Sequence, residues 1–510
     1  MSDSSTGKRI ARNTLMLYFR QILIMLVSLY TVRVVLDVLG AEDYGIYNVV
    51  AGVVLMFSFL SNAMATASQR YFSYDLGKND YEKLKKTFSV SFISYLIIII
   101  FIVLLAETVG LWFLYTQIDI PSERFFAATI VYQTAIFAFI CSVFTTPYMA
   151  AIISHEDMNI YAYVSFVEVF LKLFIVFLLK LFDKDKLIMF GILHSIAVFI
   201  TTGTYRIISR KKYVECRAPL YWNYTLFKEM MAYSIWNFYS HMSYIIKNHA
   251  LTILLNNFYS PVIVTARAIS IQVSNAIKTL SSNFSIAVKP TITKVYAVEE
   301  YSKLFGIVCT SCKMIYFLSL LFTVPLLFHI KYILDVWLKT YPVETLLFTQ
   351  LVLIANLIDS IGQPLAASNQ AMGKVRNYLL FLGSAFILVI PASYILLRSG
   401  FSIYSIYICD IVAMIVALII RLLFTRRITG FSIAKFIIKV VAPIVIVTII
   451  VFFINSLFTR YFYIDSLVDF IFSFCFTVMS VVIIGYLLGL NKTQKNMVII
   501  FIRNKIHGYK

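Results

Sequence analysis

Ser260-Pro-Val-Ile-Val-Thr-Ala-Arg267-Ala-Ile-Ser270-Ile-Gln-Val-Ser274-Asn-Ala-Ile-Lys278-Thr-Leu-Ser281-Ser-Asn-Phe-Ser285-Ile-Ala-Val-Lys289-Pro290 is the stretch on which the fold turns. At helical spacing Arg267, Ser270, Ser274, Lys278, Ser281 and Ser285 share one stripe, while Ile269, Ile271, Val273 and Ile277 lie mostly off it. Arg267 and Lys278 are eleven residues apart, close to whole helical turns, which places both cations on one wall about 16 Å apart along the axis. A cation at bilayer depth costs about 2.5 to 3.5 kcal/mol even on a lenient insertion scale, so this wall is predicted to face a wet cavity. Snorkelling of the two side chains to opposite surfaces would not account for the serines between them.

Working outward, composition sets the class. The chain has 510 residues, of which 60% are hydrophobic and 14% charged. Its mean hydropathy is +0.85. Soluble domains hold roughly 45 to 50% apolar residues, so a polytopic membrane protein is implied. Many apolar runs reach the roughly 20 residues of a spanning helix, and none shows the ten-residue alternation of a membrane barrel. The expected class is therefore all-α. The first dozen residues are polar and no small-residue cleavage site follows, so the first span reads as a retained helix. A formal charge of +19 would point to nucleic acid in a soluble protein; here it serves to orient helices, and no nucleic-acid partner is expected. Five of the six cysteines lie in apolar runs, and Cys309-x-x-Cys312 falls inside a span without a second ligand pair, so neither a disulfide framework nor a metal site is expected. There is no Walker A sequence and no H-E-x-x-H, and the reading is a non-enzyme without cofactor.

Fourteen spans are expected, near 13–38, 44–72, 87–114, 124–150, 159–181, 187–208, 229–256, 260–289, 304–333, 343–368, 377–397, 401–424, 432–456 and 465–489. With a cytoplasmic amino terminus, 27 of the 44 Lys and Arg residues, Arg421 included, fall in inside connections and eight in outside ones. That asymmetry places both termini in the cytoplasm. The outer loop holding Lys180, Lys184 and Lys186 is the weakest point of the scheme.

Nine bases remain within spans: Arg20, Arg33, Arg70, Lys172, Lys247, Arg267, Lys278, Lys313 and Lys439. Arg33 lies four residues before Asp37, and Arg70 and Lys439 lie near inner ends where water or headgroups are in reach. Glu168 and Lys172, four apart, read as an intrahelical pair, with an ion site as the sharper alternative. Arg20, Lys247, Arg267 and Lys278 have no acidic partner in their own helix and are the expected substrate-binding residues. Asp359 and Asp410 have no basic neighbour at helical spacing; with Glu168 they are the candidates for ion coupling, against the alternative of pairing to a base from another helix.

An internal repeat organises these helices. Asp80-Tyr-Glu-Lys-Leu84 precedes span three and Glu300-Tyr-Ser-Lys-Leu304 precedes span nine, each after a span with a basic end, Arg70 or Lys289. The repeat predicts a six-helix lobe over 1–210, a basic cytoplasmic linker over 211–228, a second six-helix lobe over 229–427, an extra transmembrane pair over 428–490 and a basic tail over 491–510. Polar faces of spans one, two, seven and eight would then meet in a central cleft.

The run Arg33-Val-Val-Leu-Asp37-Val-Leu-Gly40-Ala-Glu-Asp-Tyr44-Gly45-Ile-Tyr47-Asn48, followed by Ala67-Ser-Gln-Arg70-Tyr71, resembles the opening of bacterial lipid-linked oligosaccharide flippases, the Wzx-like polysaccharide transporters. Ser234-Ile-Trp236-Asn237 resembles the start of their second lobe. These belong to the multidrug/oligosaccharidyl-lipid/polysaccharide (MOP) superfamily, together with lipid II flippases and the MATE multidrug exporters. The motifs cover roughly the first ninety residues, and fourteen spans departs from the twelve common among O-antigen flippases. In the first run, Gly40 and Gly45 would allow a tight reversal at the outer surface.

The resemblance implies a MATE-like architecture in the bacterial inner membrane. It also implies movement of an undecaprenyl-pyrophosphate-linked oligosaccharide for O-antigen or capsule from inner to outer leaflet by alternating access. The partners it implies are that anionic cargo, membrane lipids and the polysaccharide polymerase machinery. The residues fit such a cargo, because Arg and Lys supply both charge and donors to a pyrophosphate, and Trp236, Tyr239 and Tyr244 offer flat faces to sugar rings. Two other classes stay open. A cation-drug exporter would want acids in the cleft, where Glu107, Glu168, Asp359, Asp410 and Asp469 are outnumbered by nine bases. A membrane polymerase or ligase would need an extramembrane loop, and the outer loops are about a dozen residues or fewer.

Overall fold

The computed structural model of the chain describes residues 3–118, 120–181, 185–338, 340–462, 466–491 and 494–495. Lys184, on which the outer-loop assignment leans, and most of the basic tail lie outside the described residues. Among those described no strand occurs, and the helices are α1 (Asp3–Leu55), α2 (Ser58–Gly77), α3 (Tyr81–Thr116), α4 (Phe125–Ser154), α5 (Met158–Leu181), α6 (Lys186–Lys212), α7 (Tyr224–Phe258), α8 (Pro261–Ala297), α9 (Tyr301–Leu338), α10 (Glu344–Ala371), α11 (Arg376–Arg398), α12 (Ser405–Thr429), α13 (Ile433–Tyr461) and α14 (Leu467–Gly489). Eleven stretches among the described residues are long and apolar enough to cross a membrane. The expected spans two, seven and eight, in α1–α2, α7 and α8, fall outside that set because polar residues line them. The chain is an all-helical, multi-pass membrane protein.

Helix ends follow local chemistry. Asp80 caps α3 by accepting from the backbone of Lys83, Asp185 caps α6 at Leu187 and Ile188, and Ser466 with Asp469 forms a capping box on α14. The expected reversal at Gly40 and Gly45 is corrected: only Gly40 leaves helical geometry (φ 79, ψ 168), and the chain re-enters a helix at once through Gly45. A single residue able to adopt positive φ is enough for the turn.

Two compact units emerge, residues 13–238 and residues 239–510 with the first twelve, divided within α7. In the first, α4 packs along α6, α2 and α3, and one core cluster gathers Phe72, Phe88, Tyr148, Ala151, Tyr213 and Cys216. Tyr213 and Cys216 belong to the connection after α6, and burial pushes both the phenol and the thiol up from their ordinary values, so both stay neutral, with the Tyr213 hydroxyl donating to Asp157 at 2.6 Å. At the opposite end Arg124 grips Asp43, and it reaches Asp185 at 2.7 Å.

In the second unit α8 packs most extensively on α10, with α9 alongside and α12 beyond. The terminal pair α13–α14 joins its core, where Val447, Val451, Val481 and Ile484 meet Leu320 and Val324 of α9. Polar contacts reinforce that seam: Tyr316 with Thr448 at 2.8 Å, His329 with Ser473 at 2.7 Å, and Lys313 donating to Gln494 at 2.7 Å and to the Gly489 carbonyl at 3.2 Å. Ile446, Ile449 and Phe453 of α13 stay exposed, as expected of a lipid-facing surface. Cys309 and Cys312 are buried in the same apolar core.

Candidate anion site

The second unit concentrates charge in the interior of its helices. From α7 come Tyr244, Lys247, Asn248 and Thr252, which helical spacing places within two turns of one another. Lys247 is fully buried and donates to Asp410 of α12 as an ion pair. Asp359 of α10 accepts from Arg421 of α12 at 2.8 Å. Gly362, one turn beyond Asp359, makes that pair possible, because a Cβ there would run into the Arg421 guanidinium. Arg421 was expected in an inside connection; this is corrected, since it lies within α12, buried beside α10. A charged side chain so placed needs a counter-ion at hand, and Asp359 supplies it.

The two cations of α8 are treated differently. Lys278 donates to the Tyr244 hydroxyl, and its ammonium stands 4.9 Å from the Tyr244 ring centroid. The Lys247 ammonium lies 4.6 Å from the same ring, which Phe386 of α11 buttresses edge-on at 5.4 Å. Asp359 and Asp410 both act on Lys278 electrostatically, but neither forms an ion pair with it. Arg267 donates to Thr252 Oγ1 at 3.1 Å and to the Asn248 carbonyl at 3.4 Å, and its guanidinium faces the Tyr407 ring at 5.7 Å. Its partners are a hydroxyl, a carbonyl and an aromatic face, all neutral.

The cluster of Lys247, Lys278 and Arg421 against Asp359 and Asp410 thus holds three bases and two acids. Lys278 is the surplus charge. Its half-buried ammonium keeps two donor positions beyond the bond to Tyr244.

One expectation for α8 is corrected. The serine stripe does not face a wet cavity: Ser274 bonds Asn356 of α10 at 2.8 Å, Ser281 bonds Ser319 of α9 at 2.7 Å, and Ser270 turns back to the Arg267 carbonyl. These three serines form a polar packing seam inside the unit. Small hydroxyls let helices approach closely and bond across, a use that periodicity cannot distinguish from cavity lining.

Within the first unit, Arg20 donates to Ser165 Oγ at 2.7 Å and stacks on Tyr161 at 4.3 Å, again with neutral partners. Glu168 and Lys172 pair along α5 at 2.7 Å. So the second unit brings together Lys247, Arg267, Lys278, Asp359 and Asp410, and the first holds Arg20 and Glu168 about a helical turn apart along α5 through Ser165. Sequence reasoning did not anticipate Arg421 as the partner of Asp359 or Tyr244 as the partner of Lys278. Gly362 beside Asp359 was the one local signal that a bulky group needed room there.

No protein-family profile and no curated protein sequence matches this chain. Solved structures share its fold. A MATE crystal structure in the straight conformation aligns with a TM-score of 0.69 over 83% of this chain and 96% of its own, at 14% identity. An outward-facing multidrug resistance MATE family transporter of the MOP superfamily gives 0.70 over 84% and 98%, at 12% identity. The Vibrio cholerae MATE transporter VcmN in its bent form gives 0.65 over 86% and 99%, at 16% identity. The architecture is MATE-like, and at such identities the likeness is one of fold.

Proposed function

We propose that the chain is a transporter, not an enzyme, that moves an undecaprenyl-pyrophosphate-linked oligosaccharide from the inner to the outer leaflet of the bacterial cytoplasmic membrane. One observation carries this reading: Arg267 and Lys278 are held by neutral groups, while Asp359, Asp410 and Glu168 are each occupied by a base. A pyrophosphate entering a low-dielectric site needs cations not already neutralised. Arg20, bonded only to neutral partners, is a further anion contact in the first unit. Lys247 would assist through the shared Tyr244 ring. Ion coupling by Asp410, Asp359 or Glu168 would require its pair to open during transport; an Asp410→Asn chain that kept full dependence on a proton gradient would remove Asp410 from that role.

The second reading, an ion-coupled drug exporter, is favoured by the MATE folds to which the chain is similar. Flipping of a lipid-pyrophosphate oligosaccharide in proteoliposomes, at matched protein levels, separates the two. Loss of one charged contact worth about 1.5 to 3 kcal/mol should slow Lys278→Ala or Arg267→Ala roughly ten- to a hundredfold. Lys278→Arg should be milder and Lys278→Glu the most severe. Normal flipping by the Arg267→Ala, Lys278→Ala double variant would discard the anion site and leave the drug-export reading standing. The proposed orientation, both termini cytoplasmic, is tested by labelling a single cysteine at position 184, which should react only from outside.

A further inference from the structure

The connection between α6 and α7 has two faces of opposite character. Inward, Tyr213 and Cys216 enter the core of the first unit, and Glu215 is buried against His155 at 2.7 Å. Outward stand Val214, Leu220, Tyr221, Trp222 and Tyr224, between 41 and 68% exposed. Connections normally present polar side chains to water, so a run of large apolar and aromatic groups there calls for a covering surface.

The strand of chain that carries them is held in place. Ser89 of α3 donates to the Tyr221 carbonyl at 3.0 Å and accepts from the Tyr221 amide. Arg217 closes the end of α6 by donating to the carbonyls of Arg210 and Lys211. Trp222 rests on Phe227 at 4.9 Å, and the Lys86 ammonium lies 5.6 Å from the Tyr221 ring. Around the aromatics, Lys86, Arg210, Lys211, Arg217 and Lys228 are exposed, against the exposed acids Glu229 and Glu82, the latter already paired to Lys85 at 2.7 Å. Lys212 is set apart by its pair with Asp157 at 2.9 Å.

Depth adds an independent constraint. α6 has 27 residues, a length of about 40 Å, which matches the roughly 40 to 45 Å of a bilayer with its headgroups. Starting at one surface, it delivers the connection at headgroup level on the other. Aromatic residues mixed with bases at that level are the composition of an interfacial anchor on an anionic leaflet.

We propose that this connection is a docking surface for anionic phospholipid, with Leu220, Tyr221 and Trp222 seated at the headgroup boundary and Lys86, Lys211 and Lys228 on the lipid phosphates. The inference does not depend on the cargo. The test uses the full chain with Trp112→Phe, Trp236→Phe and Trp337→Phe, which leaves Trp222 as the one tryptophan. It is reconstituted in phosphatidylcholine bilayers containing phosphatidylglycerol, with either lipid brominated in turn. Trp222 fluorescence should be quenched by bromolipid, and brominated phosphatidylglycerol should outcompete brominated phosphatidylcholine several-fold, since each basic residue near an anionic surface is worth about fivefold in association. Lys211→Gln with Lys228→Gln should bring that preference close to parity. In the chain with all other tryptophans restored, Trp222→Phe should remove the same quenched component, which guards against a fold change in the triple variant. Quenching of Trp222 by aqueous iodide instead of bromolipid would overturn the proposal and point to a soluble partner. Equal quenching by both bromolipids, or a preference untouched by the lysine changes, would overturn it as well.

Discussion

Residues 13–238 keep most of their ion pairs at helix ends: Arg124 with Asp43 and Asp185, Lys83 with Asp75, Lys212 with Asp157. Among the described residues, 239–510 have an end pair too, Lys303 with Glu300 at 2.9 Å, but add two inside the helices, Arg421 on Asp359 and Lys247 on Asp410. Each end pair of the first unit keeps a base that water reaches, Lys83, Lys212 or Arg124, although Asp75 and Asp43 are themselves buried. An interior pair is different, because its partners were taken out of water and each now depends on the other. Charge at the ends braces turns, and charge in the middle is held in place by its partner. The exception in the first unit, Glu168 with Lys172, lies within one helix and neutralises itself at i,i+4 spacing.

The sharpest way to break this contrast is Arg421→Met, which strands Asp359 inside the second unit. A loss of about 3 to 5 kcal/mol is expected in thermal unfolding of the purified chain. Asp359→Asn added to it should restore most of the loss. If Arg421→Met costs no more than Arg124→Met, the distinction between interior and end pairs fails.

Gly362→Ala probes the same pair without touching either charge. The added methyl would press on the guanidinium, and overpacking of this kind costs about 1 to 3 kcal/mol. Stability unchanged by this substitution would mean that Arg421 has room to move. Next in size, Gln494→Ala takes an acceptor from Lys313 and a donor from Thr310, with about 1 to 2 kcal/mol expected. Arg124→Met should cost less than Arg421→Met, because water reaches the guanidinium although Asp43 is buried, and less again at 1 M salt, where the screening length is about 3 Å. Salt-insensitive stability loss there would place the Arg124 cluster among the interior pairs.

The helices were legible because a membrane span must satisfy its backbone within itself, which leaves its mark in a continuous run of apolar residues. Even α7 and α8, too polar for that criterion, were legible by their stripes. The partners of the charges were not. Lys247 and Asp410 are 163 positions apart, and Asp359 and Arg421 are 62 apart. Helical periodicity reports which residues share a face, and only packing decides what that face meets. The α8 stripe shows this most clearly, since its six members predicted a cavity wall and Asn356 and Ser319 turned Ser274 and Ser281 into a seam.

The odd count of charges around Tyr244 has an electrical consequence. Three bases and two acids leave one uncompensated positive charge in that cluster. If the cluster is reached first from one side of the membrane and then from the other, some fraction of that charge is carried through the transmembrane field, where a full elementary charge is worth about 2.3 kcal/mol per 100 mV. The proposed pyrophosphate cargo, once bound, would reverse the sign of what moves. In the proposed cycle the loaded site would move outward with net negative charge and the empty site return inward with net positive charge, so both steps would carry current in the same, inward direction and an inside-negative voltage would favour each.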